Sequence, residues 1–307
     1  MKITLLAAIL VALWSTDLWA QACCSATSAG EAGVVGRCHK AMLQAGMTFD
    51  HGVASFNAQG DRETFEETQS EDIIFTVSGG IRPVESVRVG LLVPYHLQHR
   101  SAQALGSTQW ALGDVAFSTG WLALEDPMLG LSHDPTPFLE FVLMGSIATG
   151  NATKTSEDPF GADITSTGSH SLGAGVRVIK FVVPSHALRL NADWLYKFSH
   201  DVELGRESFA VKPGSELRGV LGWAYEGSIF WSAGLFVRGS MHSEITTAGK
   251  IIDGSGMRRL TFGAHWRQSL AFPFWDINFS AGTDMFLGEN LPRTGVSGGI
   301  SVQRNFL

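Results

Sequence analysis

The chain of 307 residues carries 29 acidic against 22 basic side chains, a formal charge of -7 that argues against nucleic acid as a partner. Its length fits two soluble domains or one large β-barrel. No stretch beyond the N-terminus approaches the roughly 18 uninterrupted apolar residues of a membrane helix, so a mature chain that crosses a membrane must do so as strands.

The chain opens with Lys2, runs apolar from Leu5 to Trp14, and passes through Ser15, Thr16 and Asp17 to Ala20-Gln21-Ala22. One cation, an apolar run of about ten and a small-residue site predict a secretory signal over residues 1–22, cut after Ala20 or Ala22. Residues 23–40 read as a periplasmic tail. All three cysteines, Cys23, Cys24 and Cys38, fall in it, and an oxidising compartment would let Cys38 bridge to one of the pair. Lipidation of Cys23 is the other reading, against which stands the absence of a leucine three residues before it. Neither a metal nor a cofactor is expected, because these cysteines and His39 supply no second paired spacing.

From residue 41 to the last residue the sequence alternates with a period of two, so each run is a strand with one apolar and one polar face. The first, about 41–55, sets Leu43, Met47 and Phe49 against Gln44, Thr48 and Asp50. An acidic loop leads to the second, about 72–82, and a tight Arg82-Pro83-Val84-Glu85 turn to the third, with Val89, Leu91, Val93 and Tyr95 opposite Arg88 and His96. After a polar loop over residues 100–107 the fourth runs over 110–124, with Val115, Phe117, Trp121 and Ala123 opposite Asp114, Ser118 and Gly120. A Pro-stiffened connection, 125–137, precedes the fifth, where Leu139, Phe141 and Leu143 oppose Glu140. A long polar loop, 151–167, leads to the sixth with Arg177 on its polar face.

The seventh strand, 187–199, is the most regular: Leu188, Leu190, Ala192, Trp194, Tyr196 and Phe198 on one side, Arg189, Asn191, Asp193 and Lys197 on the other. A polar loop over 201–214 follows. The eighth opposes Leu221 and Trp223 to Glu216 and Arg218, and Glu226-Gly227 is read as the turn into the ninth, which carries Trp231, Ala233 and Leu235. Beyond a loop over 242–256, the tenth sets Phe262 and Trp266 against Arg259, His265 and Arg267, the eleventh sets Trp275 and Phe279 against Asp276, and the twelfth ends at Phe306 and Leu307.

About twelve strands, with both ends on one side and long loops alternating with short turns, predict an all-β fold: a single antiparallel transmembrane β-barrel over 41–307. Its strands are too long and its inner faces too polar for a soluble sandwich. The polar parity assigns Arg88, Asp114, Glu140, Arg177, Arg189, Asp193, Lys197, Glu216, Arg218, Arg259, His265, Arg267 and Asp276 to the lumen, where they would set selectivity. The apolar parity turns Trp121, Trp194, Tyr196, Trp223, Trp231, Trp266 and Trp275 to lipid. The adjacent pairs Ser132-His133, Ser169-His170, Ser185-His186 and Ser199-His200 are the candidates for an enzyme; neighbours on a strand point to opposite faces and cannot act on each other, so no catalysis is expected.

The segment Val89-Gly90-Leu91-Leu92-Val93-Pro94-Tyr95, then Gly113-Asp114-Val115, Thr149-Gly150 and Gly173-Ala174-Gly175, resembles the meta-pathway phenol-degradation outer-membrane protein family over residues 87–180. The resemblance implies a transport-type barrel for small, hydrophobic or aromatic solutes. The chain departs from the usual barrel-assembly signal in placing its aromatic, Phe306, one residue before the end. Expected partners are outer-membrane lipid and lipopolysaccharide, the barrel-assembly machinery and a small-molecule solute. A structural or surface-interaction barrel with an ion-paired, closed lumen is the alternative.

Overall fold

The computed structural model describes residues 39–56, 62–64, 68–102, 105–125, 136–152, 158, 162–204, 207–228, 230–252, 255–271, 275–287 and 293–306. The expected signal, most of the tail and all three cysteines lie outside the described residues, as does the centre of the 125–137 connection.

In chain order the strands are β1 (Ala41–Phe56), β2 (Arg62–Thr64), β3 (Thr68–Val84), β4 (Val87–Ala102), β5 (Leu105–Leu112), β6 (Val115–Leu124), β7 (Phe138–Ile147), β8 (Ser171–Val183), β9 (His186–Lys197), β10 (His200–Leu204), β11 (Glu207–Lys212), β12 (Glu216–Ser228), β13 (Trp231–His242), β14 (Thr246–Thr247), β15 (Lys250–Ile251), β16 (Met257–Ala271), β17 (Trp275–Leu287) and β18 (Arg293–Phe306). Each barrel strand pairs antiparallel with its neighbours, and β1 closes on β18 from Ala41 opposite Phe306 to Ser55 opposite Arg293. Lys40 extends the seam with a hydrogen bond to the Phe306 carbonyl (2.8 Å). The twelve strands β1, β3, β4, β6, β7, β8, β9, β12, β13, β16, β17 and β18 form the closed wall. Closure removes the edges of this wall, the condition for a sheet to sit in hydrocarbon.

The apolar parity faces outward on every strand. Leu43, Val77, Leu91, Leu143, Leu190, Leu221, Leu235, Phe262, Phe279 and Ile300 are exposed large hydrophobics. A soluble monomer rarely exposes an apolar patch of more than a few hundred Å², so this band is a lipid-facing surface and the protein belongs in the outer membrane. A strand of 12 residues such as β9, at about 3.3 Å per residue and a tilt near 40°, rises about 30 Å, enough for an apolar band of about 25 Å. Aromatic contacts gather near both rims. At the short-turn end Trp231 stacks on Trp266 (5.1 Å, 7°), Trp121 stacks on Phe141 (5.9 Å), and the Arg304 guanidinium lies over the Trp275 and Phe306 rings (5.3 and 5.1 Å). At the opposite end Trp110 stacks on Phe75 and Tyr95 (5.6 Å each), and Tyr196 meets Trp194 and Phe198.

Three expectations about individual elements are corrected. The fourth strand is not continuous: β5 and β6 both pair with β4, but Gly113 and Asp114 interrupt them. Pro94, which has no N–H, sits opposite this break and accepts the Gly113 N–H through its carbonyl (2.9 Å). The Thr149 hydroxyl donates to the Gly113 carbonyl (2.8 Å) and accepts the Val115 N–H (3.1 Å), while Asp114 accepts the Gly150 N–H (3.2 Å). The Pro, Gly-Asp and Thr-Gly motifs therefore meet as one pinned kink.

The 201–214 and 242–256 loops are not wholly irregular either. They contain β10, β11, β14 and β15, which form a second, four-stranded sheet beyond the barrel rim. The turn between β14 and β15 uses Ala248 and Gly249 at φ 49° and 77°. Finally, Glu226 and Gly227 do not form the turn after the eighth strand. β12 continues through them to Ser228, so Glu226 is an inward-facing strand residue.

Candidate functional site

The site is the lumen, and strand register decides which inner side chains meet. One row runs around half of the wall: Arg189 opposite Gly222, Gly222 opposite Phe236, Phe236 opposite Gly263, Gly263 opposite Gly282, Gly282 opposite Ser297, and Ser297 opposite Asp50. Three glycines in this row leave a shallow recess. The Phe236 ring folds over Gly263, where a Cβ would lie 2.3 Å from it, and the His265 ring folds over Gly234, where a Cβ would lie 2.4 Å away. The two rings stack with centroids 6.5 Å apart at 29°.

Toward the short-turn end the charges form two Arg–Glu–Arg triads. Glu140 of β7 pairs with Arg88 of β4, reaching across β6, and lies 3.7 Å from Arg177 of β8. Gly120 on β6 makes that crossing possible, since a Cβ there would come 1.9 Å from a Glu140 carboxylate oxygen. Glu226 of β12 lies 3.7 Å from Arg189 of β9 and 3.5 Å from Arg267 of β16, and its carboxylate is fully shielded. A carboxylate can be buried so completely only because two guanidinium groups flank it. Beside the second triad Asp276 accepts hydrogen bonds from Ser269 and from Asn305 (3.0 Å), and Gln303 donates to Asn305 (2.5 Å).

Toward the long-loop end Glu216 gathers basic side chains. Arg218 forks onto both of its oxygens (2.6 and 2.9 Å), with His242 at 3.5 Å and Lys197 at 3.9 Å. Arg259 bridges Asp50 (2.7 Å) and Asp284 (2.9 Å), and Thr261 also donates to Asp284. Asp193, opposite Arg218 in register, lies over Gly175, whose Cβ would come 1.9 Å from the carboxylate. Asp114 belongs to the pinned kink. The 13 lumen residues expected from sequence are thus distributed over two charged tiers, the kink and the Phe236–His265 ledge.

Among the described residues, two cavities lie between these groups. One of about 290 Å³ includes the recess, with Arg189, Arg238, Arg259 and Arg267 around it. The other, of about 530 Å³, lies on the β6–β9 side beneath residues 162–168, with Ser118, Met144, Lys197 and Glu216 on its wall. That loop segment dips into the barrel mouth: Ala162 is completely buried, and the Gln98 amide, turned with its nitrogen toward the loop, donates to the Ala162 and Ile164 carbonyls (3.3 and 3.2 Å).

Several members of the site escape sequence reading. Glu226 is hidden behind an apparent Glu-Gly turn, and Phe236 is an aromatic on a polar parity. Residues 162–168 carry no periodicity at all. Arg238 was legible as an inward cation by parity alone. Among the Ser-His pairs, Ser169 hydrogen-bonds the Phe198 carbonyl, His170 accepts the Ala148 N–H (3.1 Å), and His186 accepts the Trp223 indole N–H (3.2 Å). Ser132 and His133 lie outside the described residues.

No family model matches the chain, and no curated protein matches it by sequence. Among solved structures, an outer membrane channel from Pseudomonas putida F1 is similar with a TM-score of 0.71 and 13% identity, covering 91% of this chain and 100% of that one. The translocator domain of the autotransporter NalP from Neisseria meningitidis has a TM-score of 0.45 at 12% identity over 87% of this chain and 88% of its own. The monoaromatic hydrocarbon channel CymD also has a TM-score of 0.45, at 8% identity over 87% and 89%. The first of these likenesses shows a shared β-barrel fold.

Proposed function

We propose that this outer-membrane barrel conducts small solutes, with hydrophobic and aromatic molecules as the favoured class. The observation that carries the reading is that, among the described residues, cavities of about 290 and 530 Å³ remain in the lumen despite its density of charge. It keeps them because the triads run along the wall, linking adjacent strands or strands separated by one, as Arg88 and Glu140 do across Gly120. Barrels between the filled eight-stranded and the open sixteen-stranded sizes have room for such a path. The aromatic ledge of Phe236 and His265 gives an apolar ring a place to rest inside an otherwise polar wall. The same reading carries lipopolysaccharide and the barrel-assembly machinery as partners.

The second reading, a closed structural barrel, is favoured by the full shielding of Glu226 between Arg189 and Arg267. Liposome swelling separates the two. Refolded, heat-modifiable protein should admit small uncharged sugars and aromatic alcohols at rates well above protein-free liposomes. Liposomes that stay impermeable while the protein is fully folded would overturn the transport reading and leave the structural one.

A further inference from the structure

The recess on the inner wall of β12, β13, β16 and β17 combines two features that neutral solutes do not need together. The first is an aromatic ledge, the stacked rings of Phe236 and His265 set over glycine. The second is a fence of four arginines, Arg189, Arg238, Arg259 and Arg267, around a cavity of about 290 Å³ whose lining includes a single carboxylate, that of Asp50. The counter-ions that hold this fence sit behind it: Glu226 under Arg189 and Arg267, Asp284 under Arg259, both fully shielded from solvent. What a solute meets in the cavity is therefore a wall in which guanidinium outnumbers carboxylate, with Asp50, paired to Arg259, the one acid among the described lining residues. Arg238 is the most open of the four, and its guanidinium lies 5.6 Å above the Phe236 ring.

We propose that this recess is a binding subsite for small aromatic carboxylates. The inference rests on the reading that solutes enter the lumen and names the class that the recess selects. A benzoate-sized anion stacks its ring on the Phe236 and His265 ledge and turns its carboxylate to Arg238. There the planar guanidinium fork matches two carboxylate oxygens and the partly enclosed wall strengthens the charge-assisted bonds. The volume lies at the lower end for small-molecule pockets, which suits one ring with one substituent. An aromatic alcohol of the same shape keeps the stacking and forfeits the ion pair, while an aromatic cation meets the arginine fence.

The test is saturation-transfer NMR and equilibrium dialysis on the full chain, folded in detergent, with benzoate and benzyl alcohol as probes. Benzoate should bind saturably. Arg238→Gln, at an exposed position that should not disturb folding, should weaken benzoate about tenfold, the worth of one charge-assisted hydrogen bond, and leave benzyl alcohol unchanged. Phe236→Leu should weaken both probes. Arg304→Gln, on the outer wall, should alter neither. Equal affinity for the two probes, no saturable benzoate binding, or benzoate binding indifferent to Arg238→Gln would each overturn the subsite. Because dialysis needs no flux, benzoate binding by an impermeable barrel would sink the transport reading alone, and permeability without benzoate binding would sink the subsite alone.

Discussion

Gly120 and Gly222 show how single residues set the interior. A Cβ at Gly120 would collide with the Glu140 carboxylate and come 2.8 Å from Arg88, whereas one at Gly222 would meet nothing closer than 3.4 Å. Gly120→Ala should therefore displace the Arg88–Glu140 pair and cost about 1–3 kcal/mol, as overpacking does. Gly222→Ala should leave the urea-unfolding midpoint where it is. Equal midpoints for the two variants would show that the crossing over β6 is loose. Glu226 makes the complementary case. Glu226→Ala leaves Arg189 and Arg267 facing each other without the anion between them, and truncating one member of a buried charged network costs about 3–5 kcal/mol. A correspondingly lower denaturation midpoint is expected, and an unchanged one would mean that water already solvates the triad.

Which side chains are charged and on which parity was legible from the sequence, because a period of two leaves no freedom once a strand exists. Their pairing was not. Whether Arg177 meets Glu140 or Arg267 meets Glu226 depends on the register of strands far apart in sequence, and alternation carries no register across a loop. Glu226 was hidden for a local reason, since a Glu-Gly pair followed by Ser is ordinary turn chemistry, and only the pairing of β12 with β13 through Ser228 carries the strand past it.

Among elements, the break between β5 and β6 shifts the alternation by one residue: Trp110 and Leu112 before it and Trp121 after it are all exposed, at even and then odd positions, so a single strand over 110–124 overlooked the switch. The signal was present as Pro94, which cannot donate to a ladder, and as Gly113 beside it. Thr149 pins this break twice, through its hydroxyl to Gly113 and to Val115. Thr149→Val, nearly isosteric, should cost about 1–2 kcal/mol from the two lost hydrogen bonds and speed amide exchange at Val115 above that of the neighbouring strand centres. Unaltered exchange there would mean that Pro94 and Gly113 hold the kink without it. The short strands β10, β11, β14 and β15 escaped notice because strands of two to six residues in a polar segment have no long apolar rhythm to read. On the outer wall, Leu190 sits midway along β9 and is exposed. Leu190→Arg should lower unfolding stability in liposomes by about 2–4 kcal/mol, and an unchanged stability would mean that this face is not in hydrocarbon.

At the scale of the whole molecule, three properties belong to the barrel and to no single strand. Closure of β1 on β18 removes the edges, the apolar exterior supplies the membrane as solvent, and the charged interior is affordable because each carboxylate of the triads finds a guanidinium on a neighbouring strand. The glycine recess and the cavity under residues 162–168 are what the pairing leaves over, and they are the space through which a solute would pass. Planar-bilayer recording tests that account most directly. The folded protein should give discrete, reproducible single-channel steps, and Arg189→Glu and Arg267→Glu should each shift the reversal potential in a salt gradient toward cation preference. Silent bilayers with demonstrably inserted protein, or steps whose ion preference ignores both substitutions, would contradict it.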